Sequence, residues 1–425
     1  MAMILRNCRM VITQNPGRDV VENYDILIEN GRIAKVAKTI DEDAEKIDCS
    51  GKLVMPALFN AHTHSSMSLL RGYNDDKDLH EWLGDVWKVE AMLTPQDMRA
   101  GALFSFMEMA KTGTFGFMDM YFEMEEVAKA CHEIGLCGFL GYGMIDLQDQ
   151  EKREREIART VKFATWLQDR YDGIVPVLAP HAIYTCSKDL LVWAGDYASR
   201  NGMLSTIHMS ETRKEVEDCI KERNMTPVHY LDSTGFLGEN TVLFHSSFVD
   251  ADEIRILAQR GAKVVHCPAS NMKLGTGGVF PLGAYEDSGM FPMLGTDGAC
   301  SNNSLDMFSE MKFAALLQKF ATEKPSSATA RQVLDMATVN PAGMLGTGSG
   351  SIEEGKRADI AILDIRNVAL GPTRNILSNV VYSSAGGAVS DMIVNGKIIL
   401  RNGMLETMDE DSIRDGFESA ARRLY

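Results

Sequence analysis

His62 and His64 lie one residue apart, at the end of the apolar run Leu53-Val54-Met55-Pro56-Ala57-Leu58-Phe59-Asn60. In a strand, alternate side chains share a face, so the two imidazoles would project together from backbone positions about 6.6 Å apart. From there both rings can tilt onto one metal ion, at nitrogen–metal distances of about 2.0–2.1 Å. A lone His-x-His is a weak pattern, but other residues add to it. His181, His208, His245, His266 and Asp297 each end a further apolar segment. Alone, Asp297 reads as a turn aspartate before Gly298. Beside several histidines it reads as a metal-bound carboxylate. Glu211, three residues after His208, reads either as a first-turn glutamate favoured by a helix dipole or as a general acid/base next to an attacking water. His181 reads equally as a residue bonded to backbone and as a substrate contact. His80, His132 and His229 fall in helical or loop contexts and read as solvated or packed.

The elements that must position these residues follow from the same pattern. The middle of the chain alternates apolar strands with amphipathic helical segments, which predicts a parallel β/α fold. Strands are expected at 58–62, 114–119, 138–143, 174–179, 204–208, 242–245, 263–266 and 293–297. Helices are expected between them at 95–111, 153–170, 188–200, 251–260 and 307–319. Eight such units make a TIM (β/α)8 barrel, assigned to residues 58–351. An open doubly wound sheet is the alternative, but no G-x-G-x-x-G turn follows the first strand. Six of the nine histidines, with Asp297, then share the carboxyl rim where barrels place their chemistry.

The two ends of the chain resemble each other. Asn30-Gly31 and Asn395-Gly396 each interrupt an alternating apolar segment, the signature of a β-hairpin. Residues 1–57 and 352–425 are expected to form one small β-sandwich domain from both termini, with a closing helix at 411–425. Gly346-Thr347-Gly348-Ser349-Gly350 reads as the linker leaving the barrel.

Composition narrows the function classes. The chain has 425 residues, 45% hydrophobic and 24% charged, with a net charge of −16. Such a surface repels phosphate backbones, so nucleic acid is not expected as a partner. No apolar stretch is long enough for a membrane span, and the N-terminus lacks the pattern of a signal peptide. The eight scattered cysteines form no C-x-x-C and read as reduced thiols of a cytoplasmic protein. The expected partner is a small-molecule substrate, and a homo-oligomer stays open.

On Pro56-Ala57-Leu58-Phe59-Asn60-Ala61-His62-Thr63-His64, His208-Met209-Ser210-Glu211, His245, Thr296-Asp297-Gly298 and Glu353-Glu354-Gly355-Lys356-Arg357-Ala358-Asp359, the chain resembles the amidohydrolase superfamily over nearly its whole length. Met67-Ser68-Leu69-Leu70-Arg71-Gly72, Glu81-Trp82-Leu83, the 179–187 segment, and Pro268-Ala269-Ser270-Asn271-Met272-Lys273-Leu274-Gly275 resemble the deaminases of S-adenosylhomocysteine and 5′-methylthioadenosine within it. The resemblance implies a metal-dependent barrel with one Zn²⁺ per subunit, Fe²⁺ being the alternative. It implies His62, His64, His208 and Asp297 as ligands, His245 as the residue that orients the water, and Glu211 as the proton shuttle. Catalysis would rest on Glu211, His245 and Asp297. Glu90, His181, Trp82 and Arg155 would contact substrate, with Glu90 on the ribose and Arg155, or Arg153 in its stead, on a tail carboxylate.

Two departures bear on specificity. Tyr142 stands where similar homocysteine-accepting enzymes can carry a second arginine, which favours methylthioadenosine, 5′-deoxyadenosine or adenosine. Phe248 stands where many relatives have a histidine, which implies a changed pocket shape. The implied reaction is hydrolytic deamination at C6 of the adenine ring. A deaminase of guanine, cytosine or a pterin, a chlorotriazine hydrolase, and a non-catalytic barrel are the other readings.

Overall fold

In the computed structural model, described for residues 2–383 and 385–424, the first barrel strand continues almost directly out of a strand of a second sheet. Met1, Ser384 and Tyr425 and the side chain of His80 lie outside the described residues. The expectation for His80 and the last residue of the 411–425 helix therefore fall outside them too.

The eight barrel strands are β1 (Leu58–Thr63), β2 (Thr114–Tyr121), β3 (Cys137–Met144), β4 (Ile174–Pro180), β5 (Ser205–Met209), β6 (Thr241–His245), β7 (Lys263–His266) and β8 (Met293–Leu294). They pair in parallel in sequence order from β1 to β8. β1, β2, β5 and β6 are buried along their whole length, as strands covered on both faces must be.

Between β8 and β1 the barrel is joined by single bonds. Asp297 N–H donates to the His62 carbonyl (3.0 Å), and Thr296 N–H donates to Asn60 Oδ1 (2.9 Å). A Cβ at Gly295 would stand 2.7 Å from the His62 nitrogen, so this close approach requires glycine. The eighth strand was expected to run to Asp297. It ends at Leu294, because the chain turns there and Asp297 takes a left-handed φ of 61°.

The helices start on local signals. Thr94 with Asp97 and Asp250 with Glu253 form capping boxes, which satisfy amides that have no partner inside the helix. The helix expected at 153–170 is Gln150–Leu167, begun three residues earlier by the Asp149 cap.

Strands from both ends of the chain share one seven-stranded sheet. Lys52–Pro56 pairs antiparallel with Ile360–Asp364, which pairs with Val389–Val394. A separate four-stranded sheet is built from N-terminal strands alone, around the Asn30-Gly31 hairpin. The Gly346–Gly350 run is held in place: Arg357 N–H donates to Gly348 O (2.9 Å) and Ile352 N–H to Thr13 O (2.7 Å). All eight cysteines are buried and unpaired. Among the described residues, no helix is long and apolar enough to cross a membrane.

Candidate metal centre and substrate cavity

The pleat of β1 aims His62 inward, and His64 follows one residue past the strand, with ring centroids 4.8 Å apart. β5 supplies His208, β6 ends on His245, and the turn after β8 supplies Asp297. Two of these residues, and two of their neighbours, hold left-handed backbone: Ser210 (φ 48°), His245 (64°), Ser246 (46°) and Asp297 (61°). Each such residue costs about 1–3 kcal/mol and persists only where its surroundings impose it.

Hydrogen bonds fix the ring tautomers. His64 Nδ1 donates to the Met120 carbonyl (2.6 Å), and His208 Nδ1 donates to the His181 carbonyl (2.8 Å). With Nδ1 so engaged, both rings turn Nε2 toward the centre, and these nitrogens stand 3.3 Å apart. Asp297 Oδ1 is 3.2 Å from His64 Nε2 and 3.4 Å from His62 Nε2. Two ring nitrogens and a carboxylate oxygen crowded so closely suit a cation between them. A tetrahedron with arms of about 2.0–2.1 Å has edges of about 3.3–3.4 Å, which is the spacing these atoms show. Both nitrogens of His62 are buried and have no hydrogen-bond partner. The donor set of three imidazoles and one carboxylate suits a zinc-like ion.

The electrostatics point the same way. Burial works to lower the His64 pKa, but Asp297 beside it pushes the imidazole up to about 9. Burial holds His62 down at about 3 and His208 well below its usual range. Burial works to raise the Asp297 carboxyl, yet the His62 and His64 rings hold it well below the ordinary value. The cluster thus favours one centre of positive charge against a single carboxylate.

A supporting layer holds these groups. Ser270 Oγ (2.6 Å) and Ser301 Oγ (2.9 Å) both donate to Asp297 Oδ2, leaving Oδ1 toward the histidines. His245 Nδ1 donates to Asn271 Oδ1 (2.8 Å), while Asn271 Nδ2 donates to Ser247 Oγ (2.9 Å). His245 Nε2 then faces inward, buried and unbonded, 3.8 Å from Glu211 Oε2. Burial raises the Glu211 carboxyl above its ordinary pKa. Partners of this kind are worth about 10–100-fold in metal affinity or activity. Ser270→Ala is expected to lose that much, measured as metal retained against a graded chelator and as turnover of the metal-replete protein.

The centre opens into a cleft that encloses about 690 Å³ of space, open solvent at its mouth included. His64, His208, Glu211, His245 and Asp297 form its polar floor, and His181 joins them. Trp82, Leu79, Leu83 and Val86 of the helix Leu79–Glu90 cover it with an apolar face. Glu90, at the end of that helix, accepts a hydrogen bond from Tyr121 OH (2.5 Å). His181 shares a hydrogen bond with Thr185 Oγ1 (2.9 Å), and burial holds it neutral, near a pKa of 3.

Beyond Trp87, Glu90 and Phe122 a second cleft continues, lined by Leu93, Met98, Tyr142 and Leu147 with Lys152, Glu156 and Arg159. Tyr142 OH donates to Glu156 Oε1 (3.4 Å), and Ile145 N–H donates to Glu156 Oε2 (3.2 Å). Arg159 pairs with Glu123 (2.6 Å) and stacks over the Tyr142 ring.

Arg155 is not brought to either cleft. It is exposed and faces Glu151, 3.9 Å away. Arg153 is also turned aside, toward Asp146, Asp189 and Ser187. The cleft-facing residues 152, 156 and 159 follow helical spacing, which places 155 about 65° off the middle of that face. That spacing is the signal by which they could have been found. Phe248 lies outside the cavity lining, packed against Gly278 with Arg213 over its ring. His266 stacks on Phe280 behind the wall, with both nitrogens unbonded. His132 stacks on Tyr171, and His229 bonds Thr226.

Compared with known proteins, residues 53–399 match the profile described as the amidohydrolase family. A 5-methylthioadenosine/S-adenosylhomocysteine deaminase of Pyrococcus furiosus is 48% identical over 92% of this chain and 94% of its own. A 5′-deoxyadenosine deaminase of Methanothermobacter thermautotrophicus is 46% identical over 95% of each chain. Among solved structures, an adenosine deaminase from Xanthomonas campestris with bound zinc superposes with a TM-score of 0.94 at 30% identity, covering 99% of this chain and 98% of that one.

Proposed function

The chain belongs to the amidohydrolase family, and we propose that it is a zinc-dependent hydrolytic deaminase of adenosine-type nucleosides, with residues 58–351 as its catalytic unit. The observation that carries this reading is the set of 3.2–3.4 Å separations among His62, His64, His208 and Asp297 at the floor of a cleft that also holds Glu211 and Glu90.

His62, His64, His208 and Asp297 would hold a zinc ion, which would supply Lewis acidity and lower the pKa of a water toward about 7. Asp297 accepts a proton from the attacking water, its Oδ2 being kept in place by the two serines. His245, its tautomer set by Asn271, orients that water through Nε2. Glu211 donates a proton to N1 as the nucleophile adds to C6, which prevents a full negative charge from building on the ring. The proton taken from the water then goes to the amine, which leaves as ammonia, while the C6 hydroxyl returns its proton to Glu211 and becomes the carbonyl of the hypoxanthine product. Glu90 binds the ribose hydroxyls, and the apolar face with Trp82 shuts bulk water from the ring.

The second cleft sets the tail. Of its charges, Arg159 is paired with Glu123, and Glu156 is an acid beside Tyr142. Such a rim accepts a methylthio or unsubstituted 5′ carbon and offers little to an amino-acid carboxylate. The expected ranking therefore places methylthioadenosine, 5′-deoxyadenosine and adenosine above S-adenosylhomocysteine. Ammonia release from zinc-loaded protein, over these four with guanine and cytosine, tests both levels. Release from the bases alone would remove Glu90 from its role. S-adenosylhomocysteine at the head of the ranking would overturn the reading of Tyr142 and Glu156.

A further inference from the structure

Glu215 lies in the first turn of the helix Arg213–Arg223, behind the cavity wall and outside the lining. Its own N–H donates to Thr212 Oγ1 (3.1 Å), the ordinary cap of a helix. In a capping box, the carboxylate of that third helical residue returns to the amide of the cap residue. Asp97 and Glu253 do this elsewhere in the chain. Glu215 instead reaches further back. Ser210 N–H donates to Oε1 (3.0 Å) and Glu211 N–H donates to Oε2 (2.9 Å).

The two amides it grips flank a strained step. Ser210 has a left-handed φ of 48°, which serine takes at a cost. From the other side, Ser247 N–H (3.1 Å) and Phe248 N–H (3.0 Å) donate to the Ser210 carbonyl. The Ser210–Glu211 segment is therefore pinned on both faces, and its pinned orientation sends the Glu211 side chain into the cleft, 3.8 Å from His245. Glu215 is only 4% exposed, and its hydrogen-bond partners here are amides, not cations. Burying a carboxyl in this way is costly, and helix capping alone does not need it, since Thr212 already serves.

We propose that Glu215 is a positioning residue for proton transfer: by holding the Ser210 and Glu211 amides together it aims the Glu211 carboxyl at the reacting ring. The inference rests on the reading of Glu211 as proton donor. A misplaced catalytic group of this kind costs about 10–100-fold.

The experiment compares Glu215→Gln, Glu211→Gln and the double variant, all zinc-loaded, by steady-state ammonia release from 5′-deoxyadenosine with metal content measured in parallel. Glutamine presents an NH2 group to one of the two amides and breaks the grip without changing size. Glu215→Gln is expected to lower kcat by about 10–100-fold, with KM and metal content unchanged. In the Glu211→Gln background the same substitution is expected to have no further effect, because its action passes through Glu211. A loss that persists undiminished in that background overturns the proposal, as does parental kcat in Glu215→Gln. Glu215→Asp keeps the charge but shortens the reach, and should lower kcat by an intermediate factor. If neither variant folds, Glu215 is a stability residue and the proposal is wrong. Near-normal turnover in Glu211→Gln alone would instead sink the proton-donor reading, which separates the two failures.

Discussion

Glu211→Gln is expected to keep its metal and lose at least about 10²–10⁴-fold in kcat, the usual value of a positioned general acid. Glutamine fills the same space and makes no new charge, so the ligands and their supporting serines stay in place. What is lost is the acidic proton. Without it, addition at C6 drives a negative charge onto a ring that sits in an apolar cleft, where charge is expensive. The parent has a matching pH signature. Burial raises the Glu211 carboxyl above its ordinary value. The proton is therefore still in place above the pH at which a free glutamate loses it. The step that needs it weakens as pH rises through the raised pKa. Ammonia release across pH, with metal content per chain, checks both statements. Turnover close to the parent's in Glu211→Gln would end the role assigned to this residue.

His62→Leu is expected to abolish metal binding and turnover while making the metal-free protein more stable. His62 Nδ1 has no hydrogen-bond partner and Nε2 has only Asp297 Oδ1 at 3.4 Å, outside hydrogen-bond geometry, although the ring is fully buried and stacked on Phe244 at 3.7 Å. A buried polar atom left unpaired costs about 1–3 kcal/mol, and an apolar residue of similar size removes that cost. Denaturant midpoints of His62→Leu and of chelated parent should therefore differ by about that amount in favour of the variant. Adding zinc should raise the midpoint of the parent alone. If chelated parent proved as stable as the variant, the imidazole would have another partner and the site would need redrawing.

Much of this site could be read before the fold was known, and the reason is local. His62 and His64 lie where period-two alternation forces two side chains to one face, and strand ends are easily located when the strands are apolar throughout. The same logic placed His208 and His245. Legibility fails where a residue's role depends on helix phase or on a distant partner. Arg155 was expected at the substrate tail from the family resemblance, but the face of its helix toward the cleft is that of Lys152, Glu156 and Arg159, with 155 to one side of it. The eighth strand stops short because Gly295 must pass against β1, a contact between residues more than two hundred apart in sequence. Ser270, Asn271 and Glu215 carry ordinary residue types at ordinary spacings. Only the tertiary fold shows that they grip Asp297, His245 and the backbone of Glu211.

The sheet shared by the two ends of the chain has a consequence for synthesis on the ribosome. Lys52–Pro56 leads within two residues into the strand that carries His62, yet its partner Ile360–Asp364 is made about 300 residues later. At 5–20 residues per second that delay is about 15–60 s. Through that interval the strand stands with one hydrogen-bonding edge unpaired, the feature that invites pairing with a neighbouring chain. The nascent protein depends on the delayed arrival of its own C-terminal strands to close an edge only a few residues from its metal centre.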